Sequence, residues 1–153
     1  MFGEKPNLTV AKATGADHVL NVAGDRARLL DLVMEVSGGL GADRVFDTVG
    51  SSENIVEALR MLANNSVVVL MATRDKELTI PSLLLSGQRT VKTSSNALFR
   101  DFPKAMQLLQ AGLVKVDPLV THRFALSRAL EAFAVACNKE RHQAIKIVLD
   151  CQR

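Results

Sequence analysis

Short apolar runs alternate with helical patterns along nearly the whole chain, and this alternation restricts the fold more than any other feature. The run SVVVLM, residues 66–71, is continuous and rich in β-branched residues, which is typical of a strand buried on both faces. Further strands are predicted at His18–Val22, Asp43–Thr48, Thr90–Ser94 and Ala144–Leu149. Strands separated by helices of about a dozen residues predict βαβ units and a parallel sheet in an α/β fold.

The helical segments between these strands are recognised from apolar spacing and from capping residues. Asp25 is a suitable N-cap for a helix over residues 26–37, and Pro103 lies in the first turn of a helix that Asp101 or Phe102 begins and Gly112 ends. The other predicted helices are a segment ending near Thr14 before Gly15, residues 53–63, a helical turn at 83–86, and residues 128–137.

The glycine-rich stretch GGLGADRVFDTVGSS, residues 38–52, separates into two parts with different contexts. Gly38, Gly39 and Gly41 follow a helical pattern and precede a strand, so we expect them to end a helix rather than to bind phosphate. Gly50 has the strand–glycine–helix order, and Ser51 or Ser52 is the expected N-cap of the next helix.

Composition and charge exclude several classes of function. The chain has 153 residues, 48% of them hydrophobic and 23% charged, which predicts one globular domain. Its net charge of +3 comes from dispersed Lys and Arg without a basic stripe, so no nucleic-acid partner is expected. We find no signal segment and no run of membrane-spanning length, and therefore expect a soluble, cytoplasmic protein without a membrane partner.

The polar residues of the sequence do not form a recognisable catalytic or metal-binding motif. His18, His122 and His142 are dispersed, and two cysteines are too few for a disulfide framework or a Cys-rich zinc site. Asp47 follows a predicted strand and is expected to order the turn before Gly50. We therefore predict no catalytic and no metal-ligating residue in this chain.

Three stretches in a fixed order resemble the medium-chain zinc-dependent alcohol dehydrogenases. They are LTVAKATGADHVLN, then GGLGADRVFDTVG, then PLVTHRFALSRALEAF with AIKIVL near the end. The segment 117–133 is most similar to the polyol branch of sorbitol, xylitol and arabinitol dehydrogenases. The resemblance implies an incomplete Rossmann-type, doubly wound parallel sheet that lacks the first strand and most of the second.

The resemblance also implies a domain assignment. Residues 1–153 would be part of a dinucleotide-binding domain, and residues 144–150 a terminal strand that returns to a catalytic domain. In the family, that GroES-like domain supplies the zinc ligands, and a GxGxxG turn holds the cofactor. This sequence contains neither that GroES-like domain nor a GxGxxG turn. We therefore expect part of an NAD(P)-dependent alcohol or polyol dehydrogenase that does not catalyse alone, with weak or absent NAD(P) binding and no zinc ligands.

Site residues transfer from the family by position, at the ends of three predicted strands. The turn after the first of these strands resembles the family's adenosine and ribose wall. The end of the next matches the approach to the nicotinamide ribose, and the following loop matches the carboxamide site. The predicted cofactor-binding residues are Thr48, Val49, Gly50, Leu70, Met71, Ala72, Ser95, Asn96 and Ala97.

Two alternatives remain open at this point. The segment 77–94 resembles the family's dimer interface, so the chain could be a non-catalytic interaction module that forms a homodimer or pairs with a full-length paralogue. It could also be a truncated gene product.

Overall fold

The computed structural model describes residues 6–23, 25–72, 74 and 77–152. They form six α-helices and five β-strands within this described part. The helices are α1 (Pro6–Ala13), α2 (Ala27–Val36), α3 (Ser52–Met61), α4 (Asp101–Gln110), α5 (Ala129–Cys137) and α6 (Lys139–His142). The strands are β1 (Ala42–Asp47), β2 (Leu62–Leu70), β3 (Thr90–Thr93), β4 (Val120–Ala125) and β5 (Lys146–Asp150). Short 3-10 turns cover Ser82–Leu85, Asp117–Leu119 and Leu126–Arg128.

The chain divides into two compact units. One is Val22–Leu98, and the other combines the described residues up to Asn21 with those from Phe99 onward. The assignment of residues 1–153 to one partial dinucleotide-binding domain, and of 144–150 to a strand that returns to a catalytic domain, stays a prediction.

The unit Val22–Leu98 contains a three-stranded sheet in the order β1-β2-β3, and both strand pairs are parallel. Val45, Val68 and Val91 are register partners across it. Helix α3 covers one face and buries Ile55 and Leu59 to 1% and 0% exposure, which stabilises the unit by roughly 1.5–3 kcal/mol per side chain. The remaining members of this core are Ala58, Leu62, Val68 and Leu70, with Val45, Ile80 and Leu84 packed against it.

The ends of α2 and α3 follow the capping residues in the sequence. Asp25 accepts a hydrogen bond from the Arg28 amide at 3.2 Å, although the helix itself begins at Ala27. Gly38 and Gly39 have φ of +63° and +85°, and their amides donate to the last carbonyls of α2, which confirms the predicted helix end. Ser51 caps α3 by accepting from the Asn54 amide at 3.2 Å, as predicted.

The other unit contains the second sheet, a parallel pair of β4 and β5. Helix α5 packs on it, and the buried residues of this second core are Phe124, Ala132, Val135 and Ala144. The terminal strand was predicted at 144–149 and lies at Lys146–Asp150.

One predicted strand is wrong. Residues 18–22 form no strand in the described part of the chain, although Val19, Leu20 and Val22 are half-buried. A strand exists only as one member of a hydrogen-bonded ladder. Within the described residues, this segment belongs to no such ladder.

Candidate cofactor-binding edge

The carboxyl ends of β1, β2 and β3 lie at one edge of the parallel sheet, and the predicted cofactor-binding residues follow them. Thr48, Val49 and Gly50 come after β1, Leu70 ends β2 with Met71 and Ala72 after it, and residues 95–97 come after β3. In open parallel α/β sheets, ligands bind outside this edge.

Two backbone hydrogen bonds continue the strand pairing beyond the regular ladder. The Met71 amide donates to the Asp47 carbonyl at 2.8 Å, and the Ser94 amide donates to the Leu70 carbonyl at 2.9 Å. The three loops therefore begin at fixed positions relative to one another.

Asp47 organises the turn after β1. The residue is only 7% exposed, and its carboxylate accepts from the Gly50 amide at 2.6 Å and the Val49 amide at 3.3 Å. The prediction that Asp47 orders this turn is confirmed. Both carboxylate oxygens are engaged within the turn, so Asp47 has a structural role.

Gly50 lies directly against the loop after β2. Its φ is +72°, and a Cβ at this position would lie 2.6 Å from the Ala72 carbonyl oxygen. A side chain here would force the two loops apart, so glycine is required. Residues predicted from two different strands are thus brought together.

The loop after β3 is more open. Ser95, Asn96 and Ala97 are all exposed, and Asn96 has a φ of +61°. Among the described residues, residues 95–97 form no hydrogen bond to the turns after β1 and β2.

Sequence reasoning missed Arg74, which reaches from the loop after β2 to the turn after β1. Its Nε donates to the Val49 carbonyl at 2.6 Å. A basic residue shortly after a strand's carboxyl end is the signal that could have identified it.

The helix N-terminus after Gly50 is occupied by side chains of the chain itself. Besides the Ser51 cap, the first turn of α3 carries Glu53, which pairs with Arg26 at 2.9 Å. Arg26 also pairs with Glu57 at 2.9 Å, and the hydrogen bond and charge of Glu57, with a smaller contribution from Glu53, raise the pKa of the Arg26 guanidinium. An acidic first turn does not favour a phosphate at this end.

The donor set does not fit a catalytic zinc ion. Among the described residues, no group of three or more His, Cys, Asp or Glu side chains is placed to hold a metal. His122 instead packs its ring against Phe124, with centroids 6.4 Å apart, and its Nδ1 lies 3.0 Å from the Thr121 hydroxyl. Cys137 and Cys151 are free, exposed thiols.

None of the described helices is long and apolar enough to cross a membrane.

Comparison with known proteins identifies the family. The model of the zinc-binding dehydrogenases matches residues 3–111. The chain belongs to this family. Its relatives include the sorbitol dehydrogenase of Macaca fascicularis, 31% identical over 95% of this chain and 40% of that protein. Another is the L-idonate 5-dehydrogenase of Vitis vinifera, 28% identical over 94% of this chain and 40% of that protein. The resemblance to alcohol and polyol dehydrogenases is thereby confirmed.

Solved structures support the fold. The 2R,3R-butanediol dehydrogenase of Bacillus subtilis superimposes with a TM-score of 0.80 at 22% identity, over 95% of this chain and 41% of that one. An alcohol dehydrogenase from Escherichia coli CFT073, solved with the cofactor NADH, gives 0.79 at 20% identity, over 94% and 41%. The predicted α/β class with a partial Rossmann-like parallel sheet is confirmed. The chain spans about 40% of the length of the sorbitol and L-idonate dehydrogenases that it matches.

Proposed function

We propose that this chain forms part of the cofactor wall of a zinc-type, NAD(P)-dependent alcohol or polyol dehydrogenase. The observation that carries the proposal is the parallel β1-β2-β3 edge, where Gly50 contacts Ala72 and Asp47 fixes the turn between the first strand and α3. Membership of the zinc-binding dehydrogenase family and relatives named as sorbitol and L-idonate dehydrogenases support the reaction class.

In this role the chain contributes shape and backbone groups rather than reacting side chains. A bound nicotinamide would supply the hydride chemistry. The loops at 48–50, 70–72 and 95–97 would line its nucleoside parts, and the rigid Asp47 turn would keep the first of these loops in register with the second. No step through zinc is derived, because the described donor set does not fit the ion.

We further propose that the 153 residues alone do not oxidise alcohols and bind NADH only weakly. The sequence has no GxGxxG turn, and the N-terminus of α3 already has the Ser51 cap and an acidic first turn. Without an anion site at a helix N-terminus, the diphosphate loses its usual recognition.

A titration of the 15N-labelled chain with NADH, followed by amide chemical shifts, tests this function. We expect a dissociation constant weaker than about 0.1 mM and shifts concentrated in residues 48–50, 70–72 and 95–97. Ala97→Glu places a negative charge at the exposed edge and should weaken binding, whereas Ala134→Glu in α5 should not. Shifts spread over other surfaces would contradict the site. Micromolar affinity, or reduction of NAD+ by the chain with sorbitol, would contradict the proposed weakness.

A second candidate function, that of an interaction module, is favoured by the exposure of β3 at the edge of its sheet. All four residues of Thr90–Thr93 are exposed, and β3 is an edge of the described sheet. Leu83, in the 3-10 turn before it, is 81% exposed. We propose that this edge, within residues 77–94, pairs with the same strand of a second copy or of a full-length paralogue across a two-fold axis.

The hydrogen-bonding direction of β3 allows a selective test of this pairing. The Ser94 amide points toward β2, so the Thr93 amide points to the open side because amides alternate along a strand. Thr93→Pro removes only this outward donor, and Thr93→Val keeps it. Light scattering should give twice 16.6 kDa for the unmodified chain and for Thr93→Val, but a monomer for Thr93→Pro. A monomeric unmodified chain that also fails to co-purify with a full-length dehydrogenase would exclude the module.

A further inference from the structure

Arg74 is held at the carboxyl edge by a short hydrogen bond. Its Nε donates to the Val49 carbonyl at 2.6 Å, which ties the loop after β2 to the turn after β1. The side chain is exposed, so its guanidinium lies at the solvent boundary of the candidate edge.

The guanidinium has no anionic partner within the described residues. Four ion pairs occur in that part of the chain, and they involve Arg26, Arg28 and Arg128 but not Arg74. The carboxylate of Asp47, in the turn after β1, already accepts from two backbone amides. Among the described residues, no carboxylate therefore neutralises the charge of Arg74 beside these loops.

The Nε of Arg74 bonds to Val49, and no hydrogen bond to a described residue engages its two terminal nitrogens. A guanidinium anchored through Nε can bind two phosphate oxygens through these terminal groups, and such charge-assisted pairs are stronger than neutral hydrogen bonds. The other possible anion site is the N-terminus of α3. Its first turn carries the negative charge of Glu53, which does not favour a phosphate there.

We infer that Arg74 is the residue that recognises a phosphate group of the ligand bound at the β1-β2-β3 edge. This inference deepens the proposed function and rests on it for the location of the ligand. In a nicotinamide dinucleotide, the same chemistry is offered by the diphosphate of both cofactors and by the ribose 2′-phosphate of NADP(H) alone.

The test uses the full 15N-labelled chain with inorganic pyrophosphate, NADH and NADPH as separate probes. The variants are Arg74→Gln, which removes the charge, and Arg74→Lys, which keeps the charge without the planar fork. Arg44→Gln is the control, because Arg44 is exposed on β1 and its guanidinium bonds to the Asp43 carbonyl away from this edge. Circular dichroism verifies that each variant folds, and the Arg74 Nε–Hε signal reports contact at the guanidinium.

Arg74→Gln should weaken pyrophosphate binding about tenfold or more, with Arg74→Lys intermediate and Arg44→Gln unchanged. A loss confined to NADPH identifies the 2′-phosphate as the group bound, and an equal loss for both nucleotides identifies the diphosphate; both results support the inference. Nucleotide binding that is indifferent to Arg74→Gln overturns the inference and leaves the proposed function intact. Pyrophosphate binding that depends on Arg74, with neither nucleotide bound, retains the anion site and refutes the cofactor role. Binding of none of the three probes refutes both.

Discussion

An added methyl group at Gly41 would collide with two backbone atoms. Its φ is +89°, and a Cβ would lie 2.7 Å from the Met61 carbonyl oxygen and 2.9 Å from the Ala63 amide nitrogen. Both atoms belong to the backbone that joins α3 to β2, so relief requires the chain itself to move. Gly38 has a φ of +63° but nothing within 4 Å of the corresponding point. Comparing substitutions at the two glycines therefore distinguishes the cost of a left-handed backbone from the cost of a steric clash.

We expect Gly41→Ala to lower the free energy of unfolding by more than about 2 kcal/mol, since it combines both costs. Gly38→Ala should cost about 1 kcal/mol, because only the left-handed conformation is penalised. Urea unfolding followed by far-UV circular dichroism measures both. Equal losses for the two variants would show that the contact with the α3–β2 backbone carries no energy.

At the scale of elements, β1, β2 and β3 could be predicted because each combines an apolar run with local start and stop residues. Strand β4 is not evident from the sequence because one of its inward positions is the polar His122, between Val120 and Phe124, which breaks the apolar alternation. The four residues of α6 carry no apolar periodicity. The segment 18–22 has strand-like composition but is not a strand in the described part of the chain, because strand pairing cannot be read from composition.

At the candidate edge, too, some features could be predicted from the sequence and others could not. The assignment of Thr48–Gly50 and Leu70–Ala72 comes from the family resemblance, and the structure brings the two segments together at the carboxyl ends of β1 and β2. Their contact with a cofactor stays a prediction. The bond from Arg74 to Val49 joins residues 25 positions apart. It depends on the path of a loop, and no periodicity in the sequence specifies that path.

Helix α5 offers a prediction about charge at its first turn. Arg128 donates two hydrogen bonds to Glu131, at 2.6 and 2.8 Å. That hydrogen bonding, with a smaller effect of the Arg128 charge, lowers the pKa of Glu131. A carboxylate whose pKa is lower in the folded state stabilises the fold above its unfolded-state pKa. The contribution is lost as the pH falls through the folded-state value. Both groups are exposed, so the effect on stability is small.

In Arg128→Gln, the pKa of Glu131 should rise toward its ordinary value. A 13C-detected titration of the Glu131 carboxyl group measures this directly. Arg123→Gln is the matched control, because Arg123 is exposed on β4 and has no bond to Glu131. A Glu131 titration that is identical in Arg128→Gln and the unmodified chain would mean that the bidentate pair does not persist in solution.

At the scale of the whole molecule, the candidate edge and a zinc site place different demands on the chain. The candidate edge consists of backbone groups that Asp47 and Gly50 hold in place. The strand order alone is enough to position such groups. A zinc site needs three or four side chains from separate segments to converge. All the histidines and cysteines of the chain lie in its described part: His18, His122, His142, Cys137 and Cys151. They do not converge there with carboxylates into a group of three.

The purified chain should therefore retain well below one equivalent of zinc after dialysis, measured by plasma mass spectrometry. EDTA should leave its thermal midpoint unchanged, because a bound metal stabilises a fold only in proportion to its preferential binding to the folded state. Loading with zinc sulfate followed by desalting provides the control for weak, adventitious binding by the exposed Cys137 and Cys151 thiols. Stoichiometric zinc that survives desalting, together with a midpoint lowered by EDTA, would require a ligand set that the described side chains do not form. If only Cys137→Ser or Cys151→Ser abolished retention, the metal would be held by surface thiols and would have no place in the reaction proposed for the β1-β2-β3 edge.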